Sequence, residues 1–481
     1  MNTYDAIGDW MLQRGPLYQR LAAAIRDAVA RGDLAPGTVL PAERQLSRAL
    51  SVGRSTVVGA YDLLRGEGVL VSKQGSGTWV AGAARSGATR GLQQESLGRA
   101  ALSAGEQLID LATASLPAVP ALRDALQAIS GGFSDSLLGQ TGYSAFGLPE
   151  ARRAVATMFT RDGLPTSPEQ ILITTGDQQA LSLIVGHFLD TGDSVLLEDP
   201  TSAGMLDLVR RMPVVARGTR SLSRAGAASL TAAIRKVEPT LVYVMTALGP
   251  EGLVPSAEEV RTFARGLQGF GGVLVEDTSS RMLIRSEPPR YLAGLVPEAT
   301  SVLTVGSMSK LFWGGLRVGW VRGDENVILR LSRAKALADL GTPMLSQLVA
   351  AWLLHRLPEI QQERQAEVAA RSAQARELVR SVLPEFTMDA DAGALSLWLR
   401  LPRGASQPFS EVARRHGVAI VAGASLSVTG DSDNYLRVAL GVSPDAFSEG
   451  IHRIAQAWQE YNGRAERGSL TSAVRVAELV S

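Results

Sequence analysis

The chain has 481 residues, which is more than a single hydrophobic core usually serves, so we expect two or three domains. Hydrophobic residues make up 45% of the sequence, a content that excludes a largely disordered chain. The 48 Lys and Arg residues nearly balance the 47 Asp and Glu residues, so the overall charge does not indicate a nucleic-acid partner, and any such role requires a local patch.

Residue types that are rare or absent exclude several kinds of site. Cysteine is absent, which excludes disulfides and thiolate chemistry, and the four histidines have no metal-ligand spacing, so we expect no metal site. Chemistry that needs a primary amine has four candidates: Lys73, Lys236, Lys310 and Lys335. We find no secretory-signal pattern and no window apolar enough for a membrane helix, so we expect a cytoplasmic protein without a membrane partner.

Residues 1–80, here called the head, show helical patterns followed by a hairpin pattern. Apolar residues recur at four-residue intervals and predict a helix that ends near Gly32: Leu17, Leu21, Ile25 and Val29. Pro41 predicts the first turn of a second helix, and Ser55 predicts the start of a third after a short break that contains glycine. Two β-prone runs around a Gly-rich turn follow at 68–80 and predict a hairpin.

The rest of the chain divides into a linker, a body and a tail. Residues 81–107 are rich in Gly, Ala, Ser, Gln and Arg without apolar periodicity, which is typical of a linker. The body, residues 108–463, alternates helical patterns with continuous apolar runs near 171, 194, 241, 272 and 301. Such runs are typical of strands covered on both faces, so they predict an α/β body with a mainly parallel sheet. The tail is 464–481.

The head also has the residue types of a DNA-binding module. A helix-turn-helix places its second helix in the major groove, and base contacts come from the first turn of that helix. This turn holds Arg54, Ser55 and Thr56, which suit guanine edges and phosphates. The other candidates are Arg44 and Lys73 for phosphates, and Gly75 and Gly77 for a narrow hairpin tip. The alternative is a helical adaptor whose arginines are only solvated.

Several stretches of the head closely resemble the GntR-type winged helix. They are Pro16-Leu-Tyr-Gln, Leu34-Ala-Pro-Gly, Leu40-Pro-Ala-Glu-Arg44, Val52-Gly-Arg-Ser-Thr-Val and Gln74-Gly-Ser-Gly-Thr-Trp-Val. The resemblance spans nearly the whole head and implies that the helix residues named above, together with the wing tip at 75–77, face double-stranded operator DNA.

Four features of the body have the chemistry of a pyridoxal-phosphate site. Lys310 follows an apolar strand and can meet an aldehyde once its pKa is lowered. Arg317 is a fixed cation suited to a phosphate, and Asp277 ends another strand, where a carboxylate can hold a pyridine nitrogen protonated. The turn 174–178 joins a strand to a helix, so its amides and the helix dipole form a phosphate cup. Each feature alone has an ordinary structural explanation.

Together, residues 108–463 resemble the fold type I of pyridoxal-phosphate-dependent transferases, and the whole chain resembles the GabR-like MocR subfamily of GntR regulators. The diagnostic stretches are Tyr143-Ser-Ala-Phe-Gly-Leu-Pro-Glu, the run 168–181 and Gly306-Ser-Met-Ser-Lys310. The resemblance implies a large domain with a mainly parallel sheet, a smaller C-terminal α/β domain and a homodimer. It also implies an amino-acid-like effector.

The resemblance assigns roles to individual residues, with no catalytic residue beyond the Schiff-base lysine. Lys310 matches that lysine and Asp277 the pyridine-nitrogen partner. The residues that match the family's phosphate-binding residues are Arg317, Ser307, Gly176, Asp177 and Gln178. Tyr143 matches a tyrosine that reaches the neighbouring subunit's phosphate. Arg437, in Asn434-Tyr-Leu-Arg437, matches the arginine that binds an α-carboxylate.

Three departures from the family pattern weaken the expected hold on the cofactor ring. Gly249 stands where the family commonly has Asn, and Ser202 stands where an aromatic stacks on the ring. Ser279 and Ser280 occupy the positions where a Tyr is usual. Ring stacking and a phenol hydrogen bond are each worth about 1 kcal/mol. Three hypotheses therefore stand: a regulator that senses an effector through pyridoxal phosphate, a regulator whose body no longer binds the cofactor, and an active aminotransferase.

Overall fold

The computed structural model describes residues 16–31, 33–34, 38–50, 52–66, 69–73, 77–80, 108–130, 135–139, 141–297, 300–388 and 394–478. Contacts divide the chain into two compact units, Met1–Gln94 and Glu95–Ser481. The predicted linker, 81–107, lies outside the described residues, and so does Gly75. Each unit is described below by itself.

The first unit contains the predicted helix-turn-helix and hairpin. Its helices are α1 Leu17–Arg31, α2 Glu43–Ala49 and α3 Arg54–Gly66, and its strands are β1 Val39–Leu40, β2 Leu70–Lys73 and β3 Gly77–Val80. The strands form an antiparallel sheet in the order β1-β3-β2. The core is formed mainly by α1 and α3, with fully buried side chains that include Leu21, Ile25, Leu46, Val57 and Tyr61.

Two details of the first unit differ from the sequence-based expectation. Leu17 was placed on the buried stripe of α1, but its side chain is 45% exposed because the core begins one turn later, at Leu21. Pro41 was expected in the first turn of the second helix, whereas α2 begins at Glu43. Pro41 instead lies in the approach to the helix, where its carbonyl oxygen accepts a hydrogen bond from the Tyr61 hydroxyl at 2.8 Å.

The large domain of the body is built on a seven-stranded sheet. Its strands are β5 Ile171–Thr174, β6 Ser194–Asp199, β7 Val215–Arg220, β8 Leu241–Met245, β9 Val273–Asp277, β10 Ser301–Ser307 and β11 Gly319–Arg322. They lie in the order β5-β11-β10-β9-β8-β6-β7, and β11 runs in the opposite direction to the other six. The helices are α4 Ala121–Ser130, α5 Asp135–Leu138, α6 Pro149–Arg161, α7 Asp177–Phe188, α8 Ala203–Arg211, α9 Leu222–Val237, α10 Ala257–Gly266, α11 Glu325–Asp339, α12 Met344–His355 and α13 Leu357–Val382.

Continuous apolar runs form the central strands because helices cover both faces of the sheet. Alternate residues of β8 belong to different cores: Tyr243 packs in one cluster, while Val242 and Val244 pack in another. A strand buried on both faces has no polar alternation, which is the pattern that the sequence shows. The expected mainly parallel sheet is confirmed.

A smaller domain follows α13 and also takes in the first strand of the body. Its strands β12 Thr387–Met388, β13 Ser396–Arg400, β15 Val421–Ala422 and β16 Tyr435–Ala439 form a sheet in the order β12-β13-β16-β15. β4 Ile109–Asp110 pairs in parallel with β14 Val418–Ala419. The helices are α14 Ser406–Arg415 and α15 Pro444–Glu478, and α15 continues into the predicted tail. The chain that enters the body is therefore anchored to the small domain.

Candidate ligand site

A cavity of about 570 Å³ lies where the strands of the large sheet end. Asp277 ends β9, Lys310 follows β10, and Asp177 begins α7 directly after β5. All three line the cavity together with Arg317 and Arg437. The carboxyl ends of parallel strands meet at one edge of a sheet, which explains how residues far apart in sequence come together here.

Asp277 is held by partners from its own turn and from the neighbouring strand. The Tyr243 hydroxyl on β8 donates a hydrogen bond to the carboxylate, and the Ser279 amide donates another at 2.8 Å. Burial raises the pKa of Asp277, and the hydrogen bond from Tyr243 is the largest influence that lowers it. Burial raises the pKa of the Tyr243 phenol well above its ordinary value, so this group acts as a donor.

The Lys310 amine lies in the same cavity and contacts the chain that enters the body. Its Nζ donates to the carbonyl oxygen of Ala114 at 2.8 Å. Burial lowers the pKa of Lys310, and the Asp177 carboxylate is the main influence that opposes this shift. A lowered pKa increases the fraction of neutral amine, which is the form that attacks a carbonyl carbon.

Arg437, on β16 of the small domain, contacts the same entering segment. Its Nη2 donates to the carbonyl oxygen of Ala112 at 2.9 Å. Its Nε is buried and has no hydrogen-bond partner among the described residues. Burial lowers the pKa of Arg437 to about 10, which leaves the guanidinium charged at neutral pH. A half-buried cation with a buried N–H that has no partner suits a carboxylate ligand.

Arg317 packs directly against the turn that begins α7. Its Nη2 donates to the Thr175 carbonyl oxygen at 2.9 Å, and a Cβ added at Gly176 would lie 2.6 Å from Nη2. Gly176 also has a φ of +82°, a left-handed conformation that favours glycine, and the absence of a Cβ leaves room for the Arg317 guanidinium. A guanidinium and a helix N-terminus therefore meet at one place, which is favourable for an anion.

The predicted phosphate cup differs from the expectation in its amides. Gln178 was expected to offer its backbone N–H to a phosphate, but this N–H already donates to the carboxylate of Asp177 at 3.1 Å. The Gln178 side chain donates to the Gly204 carbonyl oxygen at 3.2 Å. Asp177 thus contributes a negative charge to the cavity lining as well as a backbone amide.

In the head, the predicted DNA-binding residues lie at the helix-turn-helix. Arg54 begins α3, and its side chain, 57% exposed, forms an ion pair of 3.3 Å with Glu43. Ser55 and Arg44 are exposed, and Thr56 is half-buried. Gly77 begins β3, while the Lys73 side chain and Gly75 lie outside what the structure describes. The first turn of α3 therefore has charged and hydroxyl groups open to a partner.

The described residues contain neither a metal-binding cluster nor a helix that could span a membrane. In this part of the chain, no group of three or more His, Asp or Glu residues has an arrangement that could hold a metal ion. No described helix combines the length and the apolar character that a bilayer span requires.

Comparison with known families decides where the chain belongs. Residues 107–454 match the family described as Aminotransferase class I and II, and residues 17–80 match the family described as Bacterial regulatory proteins, gntR family. The first match covers more than half of the chain.

The chain belongs to the aminotransferase class I and II family. The 2-aminoadipate transaminase of Thermus thermophilus is 30% identical over 311 residues, which are 62% of this chain and 78% of the relative. The uncharacterized HTH-type transcriptional regulator YdfD of Bacillus subtilis is 25% identical over 94% of this chain and 98% of the relative. The probable rhizopine catabolism regulatory protein MocR of Rhizobium meliloti is 25% identical over 64% of this chain and 65% of the relative.

A solved structure extends the likeness to three dimensions. The kynurenine aminotransferase of Pyrococcus horikoshii, in complex with PMP, has a TM-score of 0.67 at 25% identity, over 76% of this chain and 93% of that chain. The combination of a gntR head with an aminotransferase body is that of the MocR regulators, in which a GntR-type DNA-binding regulator is fused to an aminotransferase-like domain. The predicted subfamily and fold class are confirmed.

The departures from the aminotransferase pattern all lie at the cavity of the aminotransferase-like body. Ser202, Gly249, Ser279 and Ser280 line it. The small residues at these positions leave open the space that, in the family pattern, is filled by an amide, a stacking aromatic side chain and a phenol directed at the cofactor ring. Ser202, in the expected stacking position, instead opposes the rise of the Tyr243 pKa that burial causes.

Two further residues expected from the aminotransferase resemblance lie apart from the cavity lining. Ser307 is fully buried, and its hydroxyl donates to that of Ser309 at 3.0 Å; Ser309 is the serine that lines the cavity. Tyr143 is 72% exposed and does not line the cavity of its own subunit.

The sequence had no local signal for Tyr243 or for the carbonyls of Ala112 and Ala114, because each is an ordinary residue of an apolar or small-residue run.

Proposed function

We propose that this regulator senses an amino-acid-like effector through pyridoxal phosphate bound in its aminotransferase-like body. The observation that supports this proposal is the grouping of Lys310, Asp277, Arg317 and Arg437 around one cavity. An amine, an acid, an arginine for a phosphate and a second arginine for a carboxylate are the groups that such a cofactor and an amino acid require.

The residues that face the cofactor's reactive parts fit it. Lys310 supplies an amine whose pKa is lowered by burial, and this amine would bind the aldehyde. Asp277, oriented by Tyr243, supplies the acid for the pyridine nitrogen. Arg317, against the N-terminus of α7, is the cation for the phosphate. When bound, the cofactor supplies an aldehyde that links covalently and reversibly to primary amines.

The effector is proposed to bind through its carboxylate to Arg437. The unpartnered Nε of this residue favours such a ligand, because a buried donor without an acceptor is unfavourable. Arg437 is half-buried and its guanidinium stays charged at neutral pH, so a carboxylate gains a charge-assisted hydrogen bond there.

The segment 112–115 is the proposed route from the effector to the head. Both site cations donate to its carbonyls, Lys310 to Ala114 and Arg437 to Ala112. A carboxylate that takes the donors of Arg437 competes with the Ala112 carbonyl, so effector binding and the position of this segment are linked. Because only residues 108–111 separate the segment from the predicted linker 81–107, we propose that a shift of the segment is transmitted along the chain toward the head.

A homodimer that binds operator DNA with two heads completes the proposal. Large apolar side chains are exposed on the body, with Tyr143 at 72%, Leu337 at 93% and Leu345 at 59%. Exposed apolar side chains of this size favour self-association, which would also allow Tyr143 to reach a partner's site.

The cofactor half of the proposal is tested by the absorbance of the purified full-length protein with added pyridoxal phosphate. Wild-type protein is expected to show visible absorbance from the link between Lys310 and the aldehyde, and Lys310→Ala is expected to lose it. Lys236→Ala, an exposed lysine at the end of α9, is the matched control and should keep the absorbance. Colourless wild-type protein at excess cofactor contradicts the proposal.

A second candidate function is a regulator whose body binds its effector without a cofactor. The observation in its favour is that small residues line the cavity where the family has contacts to the cofactor ring: Ser202, Gly249, Ser279 and Ser280. Operator binding that responds to an effector equally with and without cofactor, and equally in Lys310→Ala, would favour this second function. Repeated turnover of an amino donor with a keto acid would instead identify an active aminotransferase.

A further inference from the structure

The Asp177 carboxylate lies inside the cup in which the cofactor's phosphate is expected. Asp177 is the first residue of α7, and it lines the cavity together with Arg317 and Lys310. An ionised carboxylate accepts hydrogen bonds and donates none, and the same is true of a phosphate dianion. The cup therefore contains an anion of its own beside the groups that attract one.

The backbone amides of the cup are partly occupied by neighbouring side chains. The Gln178 N–H donates to the Asp177 carboxylate at 3.1 Å, and the Thr175 N–H donates to the Gln179 side-chain oxygen at 2.7 Å. A phosphate that approached these amides would have to displace both acceptors. Helix N-termini bind anions through such free N–H groups, so their occupation reduces the gain from binding a phosphate.

The negative charge of Asp177 also shifts the pKa of other residues that line the cavity. It is the main influence that raises the pKa of Lys310 against burial, and it also raises the pKa of Asp277. Like charges within a few ångströms repel strongly when they are shielded from water. A phosphate that binds beside Arg317 would therefore also be repelled by the Asp177 carboxylate, since both residues line the cavity.

We propose that Asp177 is a specificity-determining residue that lowers the affinity of this cavity for phosphorylated ligands relative to its affinity for the corresponding non-phosphorylated aldehydes. This inference rests on the proposed function, because it assumes that a pyridoxal-type aldehyde enters the cavity. It predicts that the cofactor is held loosely and exchanges, in contrast to a permanently bound group.

The structural alternative is that Asp177 only stabilises α7. An acid in the first turn of a helix interacts favourably with the helix dipole. That role affects the stability of the helix and has no preference between a phosphorylated and a non-phosphorylated ligand. The ratio of the two affinities therefore separates the alternatives.

The test measures dissociation constants of pyridoxal phosphate and of pyridoxal for full-length wild-type protein and for Asp177→Asn, by absorbance titration. Asp177→Asn is expected to increase the ratio of the affinity for pyridoxal phosphate to the affinity for pyridoxal by about tenfold or more, because an effect through Lys310 or Asp277 changes both affinities alike. Asp445→Asn, which removes an exposed acid from the first turn of α15, is the matched control and should change neither constant. Asp177→Ser repeats the measurement if the amide variant unfolds.

Each outcome has a defined meaning. Equal tightening of both ligands, or no change in their ratio, overturns the role of Asp177 while leaving the proposed function intact. A wild-type protein that binds only pyridoxal, with pyridoxal phosphate bound by Asp177→Asn, supports the role of Asp177 and overturns pyridoxal phosphate as the natural cofactor. A failure of wild type and variants to bind either aldehyde overturns both.

Discussion

The Tyr243 phenol donates a hydrogen bond to the Asp277 carboxylate, and the two residues belong to the neighbouring parallel strands β8 and β9. Tyr243 is fully buried, and Asp277 is 6% exposed. An acid that lies so deep tends to become neutral, since burial raises its pKa. The phenol counteracts this tendency, so it favours the charged form of Asp277, which can partner a protonated ring nitrogen.

Tyr243→Phe is expected to weaken the binding of pyridoxal phosphate without unfolding the protein. The variant removes one hydrogen bond to a buried carboxylate, which is worth about 1.5–3 kcal/mol, so the dissociation constant should increase about tenfold or more. The absorbance maximum of the bound cofactor should also shift, because ring protonation depends on Asp277. Absorbance titration measures both quantities.

Tyr291→Phe is the control for this substitution. The Tyr291 hydroxyl donates to Asp162 at 3.2 Å, and the residue is as buried as Tyr243 but does not line the cavity. An equal loss of affinity in the two variants would show that Tyr243 acts through general stability alone.

Much of the fold follows from local patterns in the sequence. The apolar runs at 171–174 and 241–245 are strands with those bounds, and the pattern at 257–266 is the helix α10. The reason is that continuous apolar runs and a helical period depend on neighbouring residues alone. The position of Asp277 at the end of its strand was likewise predictable, because the run Val273–Asp277 ends in its only two polar residues.

The contacts that tune the site depend on distant parts of the chain and were not predictable. Arg437 meets the carbonyl of Ala112, 325 residues away in sequence, and a backbone carbonyl has no residue-type signature. Tyr243 resembles any other residue of a buried strand. A buried Tyr hydroxyl needs a partner, which is the one signal that the sequence contained, but the identity of that partner depends on strand order.

Arg54→Ala in the head is expected to reduce the preference for operator over random DNA. Arg54 is exposed in the first turn of α3, where a guanine contact is worth about 1–3 kcal/mol. Arg44→Ala, also exposed but expected at phosphates, should weaken binding to both DNAs alike. Competition binding measures the preference, with an operator selected by the full-length protein from random sequences. Equal preference in Arg54→Ala and wild type would contradict a base contact.

Arg437→Gln is expected to abolish the preference of the site for amines that carry a carboxylate. L-Alanine and methylamine form a suitable pair of probes, since both offer an amine and only the first offers a carboxylate. Wild-type protein with bound cofactor should respond to L-alanine at a concentration lower by about tenfold or more, because a charge-assisted hydrogen bond is worth about 1.5–3 kcal/mol. Absorbance titration gives the two midpoints. A preference that survives in Arg437→Gln would place the carboxylate elsewhere.

Glu198 predicts a pH dependence of stability. It is 1% exposed and accepts hydrogen bonds from the amides of Leu222 and Met245, and burial raises its pKa from an ordinary 4.5 to about 7. Between these values the folded state binds more protons than the unfolded state, so stability falls as pH rises through this window. The loss amounts to about 3 kcal/mol and is complete above pH 7.

Glu198→Gln is expected to flatten this dependence, because its side chain stays neutral. Urea unfolding of the body at pH 5.5 and pH 8 gives the change in the free energy of unfolding for each protein. Glu359→Gln removes an exposed acid from α13 and should behave as wild type. A slope that is the same in wild type and Glu198→Gln would mean that Glu198 is already ionised at pH 5.5.

Asp199 connects the two domains of the body. One of its carboxylate oxygens accepts four hydrogen bonds from the small-domain loop that precedes β16: from the amides of Val428 and Thr429 and from the hydroxyls of Ser427 and Thr429, at 2.7–3.0 Å. Because β16 carries Arg437, this contact also positions the arginine relative to the large sheet. Asp199→Ala should lower the free energy of unfolding of the body by about 3 kcal/mol, since the donors lose a charged acceptor.

Thr429→Val separates the stability effect from the positioning effect. It removes one of the four donors and should cost only about 1 kcal/mol, with the L-alanine preference of the site retained. Asp199→Ala should reduce that preference as well, even under conditions where the protein is fully folded, because Arg437 is no longer held against the large domain. If Asp199→Ala loses stability but keeps the full preference, then β16 is positioned by its own sheet and the carboxylate serves stability alone.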